Sequence, residues 1–379
     1  TLTINAESNL DSASVVVADN ASLTLTAAQA DSRVITGDGQ AIITNLGAAS
    51  TADLSAVNPS GGLFIDHSSD EVNFAGEIRS ATIRLDGGKI DLTDASLQQS
   101  VTAEVASAAT LKVQAEQLNQ VDVTGRSDTS HGDLRIQSMP SPTQAISVNN
   151  NLKTTVVVDS DTDLSLFETI SWIDEIEVAT GSTLSLTASQ VTGLGADKIS
   201  GEGNLEIIGL PDGFDDNLSQ LANTGTTTVS VNGMVGLNAS ADLTGTAIVL
   251  NEGARLTGTA DQLSGLEISG NGTVVINSGN VSDLSNAFAD YSVEALDITG
   301  ATLPANSLNL LTGTELRVTA GQLVESGDAR EVRSTAAEGE RTTLTIDVSA
   351  LDFTSGSNPN LAIDIQTGAG DDRVRLDFG

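Results

Sequence analysis

The side chains best placed to do chemistry are carboxylates. Asp159, Asp161 and Asp163 alternate along one short stretch, and alternate carboxylates on a loop can converge on one hard cation that takes oxygen ligands. The spacing is not that of an EF-hand, because the sixth position is Leu164 rather than Gly and the twelfth is Ile170 rather than Glu. The same three residues also read as a solvated acidic turn. Asp212, Asp215 and Asp216 form a second cluster with the same two readings. No catalytic constellation stands beside them. The only histidines, His67 and His131, lie in separate polar segments, there is no cysteine, and no G-x-S-x-G elbow occurs. No catalytic residue is assigned and no enzymatic activity is expected.

The elements that would have to position these groups are repeats. The stretch Ala21–Ala30, ASLTLTAAQA, returns in altered form at Ala109–Leu118, Ser182–Val191, Ala254–Leu263 and Thr314–Leu323. Self-similarity at intervals of tens of residues is the mark of a repeat architecture. Each copy alternates like a strand, so Leu23 and Leu25 face a core while Ser22, Thr24 and Thr26 face outward. The alternation then breaks at an Ala-x-Gln step, where a corner or a single helical turn is expected. The five glutamines there, Gln29, Gln117, Gln190, Gln262 and Gln322, are expected to hydrogen-bond the backbone of the next layer. Three copies continue through a G-x-G turn into a further strand: Gly37-Asp38-Gly39, Gly201-Glu202-Gly203 and Gly270-Asn271-Gly272. Glycine there supplies the positive φ that such turns need.

A second recurrent element, D-L-S/T, appears at Asp53, Asp91, Asp163, Asp242 and Asp283. Several copies lead into weakly helical segments, such as Leu164–Ile170 and Leu284–Tyr291. The Asp is read as a helix N-cap accepting from free N–H groups, with Ca²⁺ binding as the alternative. The glutamine markers are 88, 73, 72 and 60 residues apart, so insertions occur. The domain organisation expected is an N-terminal β-repeat region over 1–126, a linker or excursion over 127–151 carrying Pro140 and Pro142, a C-terminal β-repeat region over 152–350, and a distinct segment over 351–379.

Composition narrows the function classes. The 379 residues carry 51 acids against 16 bases, a formal net charge of −35. Nucleic-acid binding needs a basic footprint, and an anionic membrane surface would repel this chain. So many carboxylates call for screening by salt or divalent cations. Aromatics are only 2%, few for a pocket or a sugar groove and enough for thin β-layers built from Val, Leu, Ile and Ala. No stretch approaches the ~20 apolar residues of a membrane span. No signal peptide is visible, and strand patterns run into both ends, so the sequence reads as a processed product or a piece of something longer.

The segment Thr367–Arg375, T-G-A-G-D-D-R-V-R, resembles the RTX (haemolysin-type) calcium-binding nonapeptide G-G-x-G-x-D-x-U-x, in which U is a large aliphatic residue. Gly368, Gly370, Asp372 and Val374 match, and Thr367 departs at the first Gly, so residues 351–379 are read as the start of an RTX-like segment. In that family the Gly turns expose carbonyls and the Asp supplies carboxylate oxygen to Ca²⁺ held between successive turns of a parallel β-roll. The resemblance therefore implies Ca²⁺ at Gly368, Gly370 and Asp372, although one nine-residue unit cannot complete a sandwiched site. The expected fold is all-β: a repeat β-solenoid, parallel β-helix or β-roll-like, with short helical turns, roughly 25 residues per turn and on the order of 15 turns. Tandem β-sandwich modules are the alternative. The whole looks like the secreted, extracellular RTX-type surface proteins of Gram-negative bacteria. That resemblance implies a structural protein of the bacterial cell surface, assembling with copies of itself into an S-layer or filament stabilised by Ca²⁺, with cell-surface polysaccharide as a further partner. The stalk of a secreted adhesin and a β-helix carbohydrate-active enzyme are the alternatives.

Overall fold

The computed structural model describes residues 1–4, 10, 13–68, 70–98, 101–119, 121–125, 131–138, 152–281, 287–303, 308–325, 328–329, 331–334, 337–350, 364–366 and 369–378. The fold is mostly strands with few helices, and its sheets are parallel. Two compact units are present: Thr1–Thr183 with Lys198–Glu202, and Leu184–Asp197 with Gly203–Gly379.

In the first unit the strands Leu2–Thr3, Ser22–Thr26, Gln40–Thr44, Leu63–His67, Ala81–Leu85, Val101–Val105 and Val121–Gly125 hydrogen-bond in that order in one all-parallel sheet. A second parallel sheet runs through Glu71–Asn73, Gly88–Asp91, Ala109–Gln114, Gly132–Gln137, Leu152–Val158, Glu175–Val178 and Ile199–Gly201. From Leu63 to Gln137 the chain visits the two sheets alternately. A parallel pair cannot be closed by a tight hairpin, so each strand's neighbour comes from the next pass of the chain. The strand Gly132–Gln137 lies inside the segment expected to be a linker, while 126–130 and 139–151 lie outside the described residues.

The second unit repeats this plan through Asn204–Ile208, Thr227–Val231, Ala247–Leu250, Glu267–Ser278, Tyr291–Asp297, Glu315–Thr319, Arg341–Asp347 and Asp371–Asp377. Leu308–Asn309, Glu331–Arg333 and Asp364–Gln366 make a small parallel sheet. Among the described residues the one antiparallel pairing is Val324–Glu325 with Asp328–Ala329.

Register explains the alternating patterns. Leu25, Ile43, Ile65, Ile83, Ala103 and Val123 stand opposite one another from strand to strand and are all buried. Val113, Ile136, Val156, Ile176 and Ile199 do the same in the second sheet. Leu256, Val274, Leu296, Leu316 and Leu344 do so in the second unit. Each fully buried Ile or Leu contributes about 2 kcal/mol relative to exposure. Because every row is apolar, a one-residue slip would expose all of its members.

The Ala-x-Gln steps are helical, as the sequence predicts: about one turn of α-helix at Ala27–Ala30 and Ala260–Leu263, about two turns at Ala188–Leu194, and 3₁₀ at Ala115–Asn119 and Ala320–Leu323. The segment Leu164–Ile170 differs from expectation, since it is turn and irregular backbone rather than helix. Leu164 is fully buried there, so the backbone bends to seat it and does not continue into a helix. Of the segment Leu284–Tyr291, residues 284–286 lie outside the described residues; residue 287 is helical and 288–290 form a turn into the strand that begins at Tyr291.

The G-x-G turns have one geometry in three places. Gly37, Gly201 and Gly270 adopt φ of 107°, 114° and 109°. A Cβ on them would lie 2.2 Å from the carbonyl oxygen of Val17, 2.1 Å from that of Val178 and 2.1 Å from that of Leu250. Glycine is thus required twice over, for its positive φ and for the close approach of the preceding pass. Gly270→Ala is expected to destabilise the protein by about 2–4 kcal/mol, whereas Gly253→Ala, where the space is open and only φ of 74° is strained, is expected to cost about 1 kcal/mol. Thermal melts of the two variants check the difference.

Candidate functional site

The residues singled out by sequence are held by two small hydrogen-bonded devices. The first is a turn closed by an acid. Asp53 Oδ1 accepts from the Ser55 amide at 2.9 Å, Asp91 from the Thr93 amide and hydroxyl at 3.0 and 2.7 Å, and Asp163 from the Ser165 amide and hydroxyl at 2.9 and 2.5 Å. Asp242 holds Thr244, Asp297 holds Thr299 and Asp347 holds Ser349 in the same way. Asn217 holds Ser219 likewise. The acceptor reaches two residues on, as in an Asx turn. For the aspartates this corrects the helix N-cap expectation. The middle residue of each triplet explains why: Leu54, Leu92, Leu164, Leu218, Leu243, Ile298 and Val348 are all buried, so the triplet turns the chain while plugging the core. Asp283-Leu284-Ser285 lies outside the described residues.

The second device is the corner. Thr26 Oγ1 accepts from the Gln29 amide at 3.3 Å while Gln29 Oε1 accepts from the Thr26 amide at 2.9 Å. The same reciprocal pair joins Thr187 to Gln190, Thr259 to Gln262 and Thr319 to Gln322. These are capping boxes, and the T-A-x-Q spelling is their S/T-x-x-Q signature, a signal present in the sequence that the repeat reading passed over. Gln114 stands in the Thr position at the fifth corner, so only its amide donates to Gln117 Oε1, at 2.8 Å.

The free end of the glutamine reaches into the preceding pass. Gln117 Nε2 donates to the carbonyls of Leu92 and Ala95 at 2.7 and 3.0 Å. Gln322 Nε2 donates to those of Ile298 and Ala301, both at 2.7 Å. Gln262 Nε2 donates to those of Asn238 and Ala241 at 2.6 and 3.4 Å. In each case the two carbonyls belong to one tight turn, closed by Ala95 N to Leu92 O, Ala301 N to Ile298 O and Ala241 N to Asn238 O. Asp91-Leu92-Thr93 and Asp297-Ile298-Thr299 lead into two of these turns, so one recurrent element grips the other. The expected bond between corner glutamine and neighbouring backbone is present in these three copies, directed to the earlier layer.

The candidate metal ligands are distributed as follows. Asp159 accepts from Gln137 Nε2 at 2.7 Å and Ser138 Oγ at 3.0 Å, Asp161 accepts from the Thr183 amide at 2.9 Å, and Asp163 closes its own turn. Asp212 accepts from the Gly236 amide at 2.8 Å, Asp216 accepts from the Asn217 amide at 2.8 Å, and Asp215 is exposed. In the RTX-like segment Asp371–Asp377 is a strand beside Arg341–Asp347. Asp372 Oδ1 accepts from Ser334 Oγ at 2.7 Å and also from the Thr342 hydroxyl. Gly370 is half-buried, Val374 is 47% exposed opposite buried Leu344, and Gly368 lies outside the described residues. Among the described residues no three His, Asp or Glu side chains are grouped so as to hold one metal ion. His67 Nε2 lies 2.6 Å from the Asp70 carbonyl oxygen, which accepts its hydrogen, and His131 is exposed. Among the described residues no helix is long and apolar enough to cross a membrane.

Sequence reasoning did not find where the scarce cations go. On the outward face of the first unit's second sheet, Lys89 pairs with Glu71 at 2.5 Å, Lys112 with Asp91 at 3.0 Å, Lys153 with Glu175 at 2.8 Å and Arg135 with Glu177 at 2.5 Å. These bridges join different strands, and only register brings the partners together.

Comparison with protein-family models, with curated proteins and with solved structures returned no match. The functional reading therefore rests on the chain's own geometry.

Two expectations follow. Gln322→Ala removes a cap acceptor and the donor to the Ile298 and Ala301 carbonyls, leaving Ile298 O only the Ala301 amide, so a loss of about 1–3 kcal/mol is expected; Gln322→Glu keeps the acceptor but presents a carboxylate to two carbonyl oxygens and is expected to rescue little. Chemical denaturation of both variants is the measurement. The turn acids also predict a pH dependence. Hydrogen bonds from the hydroxyl and amide two residues on lower the pKa of Asp53, Asp242 and Asp347. At Asp91 burial opposes the charge, but the Thr93 and Lys112 hydrogen bonds outweigh it and the pKa is lowered too. A lowered native pKa stabilises above the unfolded value near 4 and is lost as the pH falls through the native one. Wild type is therefore expected to melt above Asp242→Asn at pH 7, with the gap closing below about pH 4; a gap that persists at pH 2 would contradict this.

Proposed function

We propose that this chain is a structural protein of the bacterial cell surface, secreted and extracellular, whose stacked passes form a β-solenoid that assembles with copies of itself into an S-layer or filament. The observation that carries this reading is the use to which the repeated polar residues are put. The aspartates close turns, Gln117, Gln262 and Gln322 clamp their corners to the earlier pass, and the glycines admit close contact between passes. A chain whose repeated side chains are committed to stacking one layer on the next is built for extent and stiffness, since each layer is stabilised mainly by its neighbours. The parallel pairing and apolar inner rows support the solenoid over tandem sandwich modules, whose sheets are characteristically antiparallel.

Calcium belongs to the proposal through the RTX-like segment and the excess of carboxylates. Ca²⁺ bound by the folded state alone would raise the melting temperature by mass action and would screen repulsion between copies. Cell-surface polysaccharide is the partner this reading would give a lattice for anchoring.

Negative-stain microscopy of the purified protein with millimolar Ca²⁺ tests the reading. Sheets or filaments are expected. Isolated, unassociated rods would favour an adhesin stalk instead. Chelation with EGTA at physiological salt is expected to lower the melting temperature or dissolve the assembly, and an unchanged melt together with an unchanged assembly would remove calcium from the proposal.

A further inference from the structure

Self-association has an obstacle in the net charge of −35. Two copies repel at long range, and even at 0.15 M salt, where the screening length is about 8 Å, they can touch only where local charge is balanced. The outward face of the first unit's second sheet is such a place. Strand register sorts its side chains into columns. One column reads Glu71, Lys89, Thr110, Asp133, Lys153, each residue directly opposite the next. The adjacent column reads Asn73, Asp91, Lys112, Arg135, Thr155, Glu175. Glu71, Asp133 and Lys153 are exposed, and Lys89 is half-buried.

The order of charges in the first column changes sign on reversal. A two-fold axis lying along the strand Ala109–Gln114 and in the plane of the contact would keep each column but invert its order. Glu71 would then meet Lys153 of a second copy, Lys89 would meet Asp133, and Thr110 would meet itself. In the second column Asp91 would lie opposite Arg135 and Asn73 opposite Thr155, which is itself buried and adds no contact. Lys112 would meet its own counterpart on the axis, with Asp91 of each copy 3.0 Å from it to offset the like charge. An isologous contact must be self-complementary in this sense.

We propose that this face is an interface between two copies of the chain, related by a two-fold axis along Ala109–Gln114 and selected by the charge order of Glu71, Lys89, Asp133 and Lys153. The inference rests on the self-assembly reading above and specifies one of its contacts. Exposed ion pairs contribute little singly, so the contact is weak and depends on the whole column. Electrostatic matching of this kind fixes register and rejects misaligned partners more than it adds affinity. Salt acts in two directions. Raising it to about 0.15 M screens the distant acids and permits approach, whereas about 1 M salt, with a screening length near 3 Å, weakens the contact pairs as well.

The test is sedimentation velocity on the whole chain across that salt range, with microscopy in parallel. Lys89→Glu and Asp133→Lys are each expected to weaken the association at least about tenfold, or ~1.4 kcal/mol, and the double variant to restore it. Glu71→Lys and Lys153→Glu should behave as a second, independent pair. Circular-dichroism melts confirm that each variant is folded, which matters because Lys89 also pairs with Glu71 within the chain. If wild type assembles and every single variant assembles equally well, this face is not the contact while the self-assembly reading stands. Double variants no better than the singles would also reject the charge order proposed. If wild type remains monomeric by both methods, the contact and the broader reading fail together.

Discussion

The hydrogen-bond ladder between parallel passes is the constraint on which everything else depends. A parallel strand cannot find its partner through a two-residue turn. Each pass must therefore leave the strand, turn, build another strand or a corner, and come back in register. Through most of the chain the return takes 18 to 24 residues, as from Leu23 to Ala41 or from Leu308 to Val332. After Glu315 it lengthens: Leu344 stands 28 residues beyond Leu316, and Val374 a further 30 beyond Leu344. The inner rows stay apolar throughout, so the ladder tolerates loops of changing length as long as the strands keep their phase. Loop-closure entropy grows only slowly with length, which is why such insertions are cheap.

A ladder alone does not fix where the chain turns. That task falls to side chains whose bonds are mostly local and whose consequences are not. The Asx-type turn at Asp91 and the cap between the Gln114 amide and Gln117 Oε1 are each made within four residues, yet Gln117 Nε2 ties the later one to the tight turn that follows the earlier one. A corner cannot shift by one residue without breaking its cap and its grip on the pass before it. Polar groups half-buried at these corners would otherwise lack partners, and leaving such groups unsatisfied costs more than a formed bond contributes. The corners thus reinforce the register that the apolar rows already demand.

What could be read from sequence follows from the range of each interaction. Leu23 and Leu25 pointing inward, the single helical turn after Thr26 and the strained turn at Gly37 are decided within a few residues, and the sequence displays them. The capping box was legible too, since T-A-x-Q spells it. The D-L-S/T triplet misled because an Asp before a short polar run serves an Asx turn and a helix cap equally well. The deciding fact is that Leu164 and its equivalents are drawn into the core, which depends on the layer below. The pass length was hidden because the glutamine marker returns only every 60 to 88 residues, several passes apart. The carboxylate clusters looked alike in sequence, but Asp161 and Asp212 each turn to an amide 22 or 24 residues away, a partner that only register can supply.

The same limit applies to charge. Counted along the chain, −35 says only that the surface is acidic. Sorted by register, the charges have an order: of the few bases, Lys89, Lys112, Arg135 and Lys153 fall on four consecutive strands of one face, each against an acid from another strand. Chance placement of 16 bases among 379 residues has no reason to produce that run. Stability gives a weak reason, since half-exposed pairs contribute little. Like charges stacked at strand spacing would, however, repel along the whole sheet, and interleaving acids with bases reduces that repulsion, with Lys112 beside Arg135 the one like pair in the two columns. A face whose acids and bases balance for the sake of its own sheet repels a second acidic molecule less than the net charge implies, so the requirement that orders this sheet's charges is also what the proposed two-fold contact would use.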